Sequence, residues 1–104
     1  MRAALAHYEE LGFAVMPYEE GAVWAWVRFG NAEIHLFYKE DHDPLRTAAA
    51  ADLSVVDCDA LARQWSATAA SGTSDPYDTP YGRREAVHID RDNNLIRFGS
   101  PLAT

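Results

Sequence analysis

Aromatic and charged side chains alternate along residues 22–39, which read AVWAWVRFGNAEIHLFYK. Large aromatic rings supply area for stacking on planar groups, and charges among them suit a cleft that holds a ligand better than a core. The side chains that share this character are candidate ligand-binding residues: Trp24, Trp26, Glu33, His35 and Phe37.

A β-hairpin would place these side chains together. Two alternating runs flank Gly30-Asn31, a pair that can supply the positive φ of a two-residue turn. This turn predicts the cross-strand pairs Phe29–Ala32, Arg28–Glu33, Trp26–His35 and Trp24–Phe37. One face, called here the aromatic face, then carries Trp24, Trp26, Arg28, Glu33, His35 and Phe37. The opposite, aliphatic face carries Val23, Ala25, Val27, Phe29, Ala32, Ile34 and Leu36, a surface for a helix to cover.

The same pattern also has a purely structural explanation. Arg28 and Glu33 would form a cross-strand ion pair on a solvated surface, which contributes little, and a second sheet would cover Trp24 and Trp26. Large exposed apolar patches, however, usually mark binding surfaces. The two interpretations differ in whether the indole rings lie open or are sealed in the interior.

Length, charge and composition restrict the classes of function. The 104 residues fit one domain, 1–104, of ordinary globular composition. The net charge of −7 disfavours nucleic-acid binding and favours cationic small molecules. There is no run of about 18 apolar residues and no leader pattern, so we expect no membrane partner. The single cysteine, Cys58, agrees with a reducing cytoplasm.

Periodicity and turn residues predict the other elements. Leu5, Tyr8 and Leu11 form one helical stripe that ends at Gly12. Asp57 or Asp59 can cap a second helix, in which Leu61, Gln64, Trp65 and Thr68 share a stripe. The predicted elements are a helix at 3–12, a strand at 14–18, the hairpin, a loop at 39–44, a helical turn or linker at 45–51, a strand at 52–57, a helix at 60–70, a loop at 71–80, and strands at 83–90 and 94–99 around the turn 91–93.

This order contains an internal repeat. A helix followed by a set of strands occurs twice, in halves of about 1–44 and 50–104, and only the strand that should precede the helix is missing from the first half. Two such units would curl their sheets around a shared concave face with the helices outside, which gives an α+β fold with a curved mixed sheet.

Two segments resemble a known superfamily. YEELGF at residues 8–13 resembles the end of the first helix in glyoxalase, bleomycin-resistance and extradiol-dioxygenase (vicinal oxygen chelate) proteins. YGRREAVHIDRDNNLIRFGSP at residues 81–101 resembles their closing hairpin and is closest to the bleomycin-resistance branch. Departures from that branch's pattern are Ala86 in place of Phe, Arg91 and Asn93 in place of the Pro and Gly of the turn, and the absent opening strand.

The resemblance implies paired βαβββ modules and a homodimer whose ligand clefts are made by both subunits. It implies that Tyr81 lies at the cleft rim, where it either stacks on the ligand or anchors a loop. The family's metal-ligand positions are occupied in this sequence by His35, by Ala50 or its neighbours, and by Arg97. Arg97 is a permanent cation and would repel a metal ion. We therefore expect no metal, no cofactor and no catalytic residue, with Arg97 and Tyr81 added to the ligand-binding set.

The function this implies is non-catalytic sequestration of a bulky, cationic, partly planar antibiotic of the bleomycin type. The alternatives are a metal-dependent lyase, isomerase or dioxygenase of the same superfamily, and a paralogue that binds another small ligand.

The other reactive side chains are explained by structural roles. His7, His42 and His88 are expected at the surface or as capping residues. Cys58 precedes a helix, a position that can lower a thiol pKa, but a single cysteine is usually structural.

Overall fold

The computed structural model describes residues 1–43, 45 and 50–102. Its elements are α1 (Arg2–Leu11), β1 (Ala14–Val15), β2 (Trp24–Phe29), β3 (Ala32–Phe37), β4 (Ala50–Ser54), α2 (Cys58–Ser66), β5 (Tyr77–Asp78), β6 (Arg83–Ile89) and β7 (Leu95–Pro101). The strands form two sheets, with orders β1-β2-β3 and β4-β7-β6-β5. The predicted α+β class and the repeated helix-plus-strands order are confirmed.

The β2–β3 hairpin has the predicted register. Trp24 pairs with Phe37, Trp26 with His35, and Phe29 with Ala32 across the Gly30-Asn31 turn, where Gly30 has a φ of 59°. The aliphatic face is buried at Ala25, Val27 and Ile34 and half-buried at Phe29, Ala32 and Leu36. Val23 is the exception, since it precedes β2 and is 62% exposed.

Helix α1 buries the predicted stripe of Leu5, Tyr8 and Leu11. It ends at Gly12, whose φ of 105° is left-handed, as predicted. The chain then turns back so that the Phe13 N–H donates to the Tyr8 carbonyl at 3.0 Å. Phe13 is thereby buried against the helix that precedes it.

Trp65 of α2 lies at the centre of the core. Its ring is 4.8 Å from that of Phe98 in β7 and 5.9 Å from those of Phe13 and Phe29 in the first half. Of the two predicted caps, it is the Asp57 carboxylate that caps this helix, by accepting from the Ala60 N–H at 3.1 Å, so the helix begins at Cys58 instead of residue 60. One aromatic side chain therefore joins elements of both halves.

Several predicted boundaries are wrong. The first strand stops at Val15 instead of residue 18. The first strand of the second half begins at Ala50, so the helical turn or linker predicted for 45–51 is wrong at Ala50 and Ala51. Residues 46–49, and Pro44 of the predicted loop 39–44, lie outside the described residues. Helix α2 ends at Ser66 because both the N–H and the hydroxyl of Thr68 donate to the Trp65 carbonyl.

The predicted loop 71–80 contains a short strand, β5, which pairs with β6 through Tyr77–Glu85 and Asp78–Arg84. The β6–β7 turn is as predicted, with Asn93 at a φ of 65°. Neither described helix is long and apolar enough to cross a membrane.

Candidate functional site

Trp24, Trp26 and His35 form one contact network on the aromatic face. The Trp24 Nε1–H donates to His35 Nδ1 at 3.2 Å. The imidazole ring of His35 stacks on Trp26, with a centroid separation of 5.9 Å and an interplanar angle of 26°. Because Nδ1 accepts a hydrogen bond, the proton of neutral His35 is assigned to Nε2.

Glu33 belongs to the same contact network and is ion-paired with Arg28. Its carboxylate accepts from Arg28 Nη2 at 2.9 Å and lies 3.4 Å from His35 Nε2. The Arg28 hydrogen bond, followed by that of His35, lowers the pKa of Glu33 below its usual value. The Arg28 guanidinium also lies 5.4 Å above the Trp26 ring. The aromatic face therefore presents an ionised carboxylate beside two indoles at neutral pH.

This face is open to solvent. Trp24 is 42% exposed and Phe37 is 72% exposed, whereas Trp26 is half-buried by the side chains around it. Within residues 1–43 and 50–102, no sheet packs over the indoles, which contradicts the interpretation that they are sealed. The other part of that interpretation, the cross-strand ion pair between Arg28 and Glu33, is present.

Tyr81 and Arg97 meet at a different place, around Glu85 of β6. The Tyr81 hydroxyl donates to Glu85 Oε1 at 2.7 Å, and Arg97 Nε lies 3.9 Å from Oε2. This hydrogen bond to the carboxylate raises the pKa of Tyr81. Glu85 is only 2% exposed, so its carboxyl group is buried beneath an exposed tyrosine ring.

Sequence reasoning missed Glu85. The available signal was its position two residues from Arg83 on the same strand, which places both side chains on one face of the sheet. Arg83 Nη1 lies 3.4 Å from Glu85 Oε1 and donates to both carboxylate oxygens of Asp52 at 3.1 Å. Together with the contact between Arg97 and Glu85, they connect β4, β6 and β7 around the buried carboxyl group.

The structure divides the seven predicted ligand-binding residues between two separate groups. Trp24, Trp26, Glu33 and His35 are linked by contacts on the first sheet, and Phe37 lies opposite Trp24. Tyr81 and Arg97 belong to the second-half group around Glu85. No contact between the two groups occurs among the described residues.

The expectation that His88 lies at the surface is wrong. It is fully buried, with its Nε2 2.7 Å from His7 Nε2 and its Nδ1 2.8 Å from the Thr73 hydroxyl. Burial first, and the neighbouring His7 second, lower the pKa of His88 to about 4. His7 is half-buried, and the His42 Nε2–H donates to the Asp92 carbonyl at 2.9 Å. Nothing in the sequence indicated the His7–His88 contact.

Cys58 is the first residue of α2 and is fully buried. Burial raises the pKa of its thiol, so the lowering suggested by its helix position is wrong. Among the described residues, no three His, Cys, Asp or Glu side chains are grouped as metal ligands. Arg97 and Asp52 are cross-strand partners in β7 and β4, which places a guanidinium at one expected ligand position.

No protein-family model and no curated protein matches the chain. Solved structures do match. A bleomycin resistance determinant encoded on the transposon Tn5 is 24% identical, with a TM-score of 0.84 over 98% of this chain and 89% of the other. The bleomycin-binding protein of bleomycin-producing Streptomyces verticillus, solved with copper(II)-bleomycin, is 23% identical, with a TM-score of 0.81 over 97% and 87%.

A glyoxalase-related enzyme from Clostridium phytofermentans is also similar, at 19% identity and a TM-score of 0.76 over 98% of this chain and 87% of the other. Both classes of neighbour match the superfamily that residues 8–13 and 81–101 resemble. The chain therefore has the fold of the bleomycin-resistance and glyoxalase-type proteins.

Proposed function

We propose that this chain binds a bulky, cationic, partly planar small molecule of the bleomycin type and sequesters it without chemical change. The observation that carries this proposal is the open aromatic face, where Trp24 and Trp26 flank His35 beside the ionised Glu33. Indole rings provide stacking area for a planar group. The similarity to two bleomycin-binding or resistance proteins supports the same ligand class.

We also propose that the binding cleft is formed by two copies of the chain in a cytoplasmic homodimer. Tyr81, in the turn before β6, and Arg97 of β7 lie outside the sheet that carries the aromatic face, so a second copy is the simplest way to bring both groups to one ligand. The net charge of −7 raises the local concentration of cations around either copy. Resistance then follows by mass action when the protein is abundant and binding is tight.

Calorimetric titration of chelator-treated protein with metal-free bleomycin tests the proposal. The unmodified protein should bind saturably, and Trp26→Ala should lose at least about tenfold in affinity, as central aromatic contacts do. Val56→Ala, at a side chain that is 99% exposed, is the matched control and should bind like the unmodified protein. Equal affinity for Trp26→Ala would remove the aromatic face from the site.

A metal-dependent lyase, isomerase or dioxygenase is the second candidate, supported by the similarity to a glyoxalase-related enzyme. His35 and Glu33 are adjacent and are the side chains of the aromatic face best suited to a metal. Stoichiometric Zn, Ni, Mn or Fe in the purified protein, lost on His35→Ala, would favour this candidate. A paralogue with another ligand would fail the bleomycin titration and bind no metal.

A further inference from the structure

Two histidines from different halves of the chain are in direct contact. His7 lies on α1 and His88 on β6, and their Nε2 atoms are 2.7 Å apart. At this distance one nitrogen must donate a proton and the other must accept it. The contact is therefore a hydrogen bond that exists only while the two facing nitrogens carry a single proton between them.

His88 is held in place from its other sides. Its Nδ1 lies 2.8 Å from the hydroxyl of Thr73, a group that can donate or accept. Its ring packs edge to face against Trp65 of α2, with a centroid separation of 5.7 Å. Both rings are fully buried. These contacts keep Nε2 of His88 directed at α1.

The pair has room for one extra proton but not for two. The neutral pair carries two ring protons, one between the Nε2 atoms and one on either Nδ1 atom. A third proton can occupy the remaining Nδ1, and the shared bond survives because the Thr73 oxygen then accepts from His88. A fourth proton must enter the gap between the Nε2 atoms. Two N–H groups of two cationic rings would then face each other across 2.7 Å, so the contact breaks.

Three charged side chains between β6 and β7 act on the pair. Burial lowers the pKa of His7; Asp90 and Asp92 oppose this lowering, and Arg91 adds to it. For His88 burial again comes first and His7 second, and Asp90 opposes them. The other groups packed on His88, the indole of α2 and the hydroxyl of the loop before β5, are uncharged. The surroundings therefore favour the pair with few protons.

The Asp90 carboxylate is engaged by other donors. Its Oδ1 accepts from the N–H groups of Asp92 and Asn94 at 2.9 Å. Its Oδ2 accepts from the Tyr8 hydroxyl at 2.6 Å and from the Asn94 side chain at 3.1 Å. Among the described hydrogen bonds, none joins it to either histidine. Asp90 thus gives a protonated His88 no direct ion pair.

The histidine contact is one of three polar side-chain contacts between α1 and the second half. The others are the Tyr8–Asp90 bond and the acceptance of the Ala69 N–H by Glu10 Oε1 at 3.2 Å. Loss of the histidine bond therefore weakens the docking of α1. The hydrogen bonds within the two sheets do not involve these side chains and remain.

We propose that the His7–His88 pair is an acid-operated clasp. It holds α1 against the second half while the facing nitrogens share one proton, and it opens when both are protonated. α1 then separates from β6 at a lower cost than unfolding of the sheets. The clasp lies outside the aromatic face and outside the group around Glu85, so it does not depend on which ligand the protein binds.

Amide hydrogen exchange at pH 7 and pH 5, followed by mass spectrometry of peptic fragments, tests the clasp. After correction for intrinsic exchange rates, α1 should exchange about twentyfold faster at pH 5, the increase that follows from a His88 pKa of about 4 in the closed state and 6.5 in the open one. Strand β7 should stay better protected than α1 at both pH values, because α1 separates while the sheets stay folded.

His7→Gln is the diagnostic variant. A glutamine amide can either donate to His88 Nε2 or accept from it, so the contact survives protonation and the acceleration should fall below about fivefold. Position 7 is half-buried, which makes the variant compatible with folding. His42→Gln, at another half-buried histidine outside the pair, is the control and should keep the full acceleration.

Three results would overturn the inference. One is exchange of α1 and β7 at the same rate at pH 5, because α1 would then separate only on global unfolding. Another is an acceleration in His7→Gln as large as in the unmodified protein. The third is corrected exchange of α1 that does not change between pH 7 and pH 5. None of these results depends on whether bleomycin binds.

Discussion

Trp24 and His35 are joined by a hydrogen bond across two antiparallel strands, with the indole Nε1–H donating to Nδ1 at 3.2 Å. The two residues are 11 apart in sequence and lie on the exposed face of the hairpin. This bond fixes the tautomer of His35 and gives the Trp24 ring a defined direction on a surface where it would otherwise rotate freely.

His35→Phe tests this relationship. The phenyl ring retains the stack on Trp26 but cannot accept from Trp24, so we expect ligand affinity to fall about threefold to tenfold. The free energy of unfolding should change by less than about 1 kcal/mol because the site is exposed. A double-mutant cycle with Trp24→Phe, measured by calorimetry, should give effects that are less than additive. Full additivity would mean that the bond does not position the ring.

Ile34→Asp tests the assignment of the two faces. Ile34 is 9% exposed, and an unpaired carboxylate at a buried position costs several kcal/mol, or about half of a typical domain's stability. We expect a variant that is unfolded or strongly destabilised in urea titration followed by circular dichroism. Phe37→Asp, on the opposite face of the same strand, should cost about 1 kcal/mol or less. Similar losses for both variants would contradict the assignment.

Tyr81→Phe separates the two roles suggested for Tyr81. The substitution keeps a ring for stacking but removes the hydroxyl that donates to the buried Glu85 at 2.7 Å. We expect the free energy of unfolding to fall by about 1–2 kcal/mol. Bleomycin affinity should stay within about twofold, since stacking needs only the ring. Tyr81→Ala should lose both, and unchanged affinity in that variant would leave Tyr81 as a loop anchor alone.

The buried His88 predicts a loss of stability in acid. Its pKa is lowered to about 4 from the ordinary 6.5, so between these values the folded protein binds fewer protons than the unfolded chain. The contribution of His88 is therefore complete above pH 6.5, falls as the pH drops toward 4, and amounts to about 3 kcal/mol. His7 and Asp90 face the same ring and act in opposite directions.

Urea midpoints measured between pH 7 and 4 would check this dependence. His88→Gln removes the titrating group and should give a shallower fall in stability than the unmodified protein. His42→Gln, at a half-buried histidine that contacts only a carbonyl among the described hydrogen bonds, is the control and should keep the original slope. Equal slopes for all three proteins would show that His88 does not produce the acid sensitivity.

The hairpin could be predicted from the sequence because its determinants are local. A two-residue turn fixes which residues pair, and alternation then assigns every side chain to a face. For the same reason Gly12 marked the end of the first helix and residues 91–93 marked the last turn correctly, whereas the choice between Asp57 and Asp59 as the cap of the second helix was left to the structure. The short strand β5 was missed because two residues carry too little periodic signal to stand out from a loop.

The sequence by itself thus determined the fold class, the repeated halves and the set of side chains on the aromatic face, Trp24, Trp26, Glu33, His35 and Phe37, whereas the structure decided that this face is open. Only the tertiary structure decided that Tyr81 and Arg97 belong to a separate group around Glu85. It also decided that His7 and His88, 81 residues apart, meet in the interior. These features depend on how distant elements pack against one another, and no local pattern of residue types encodes that packing.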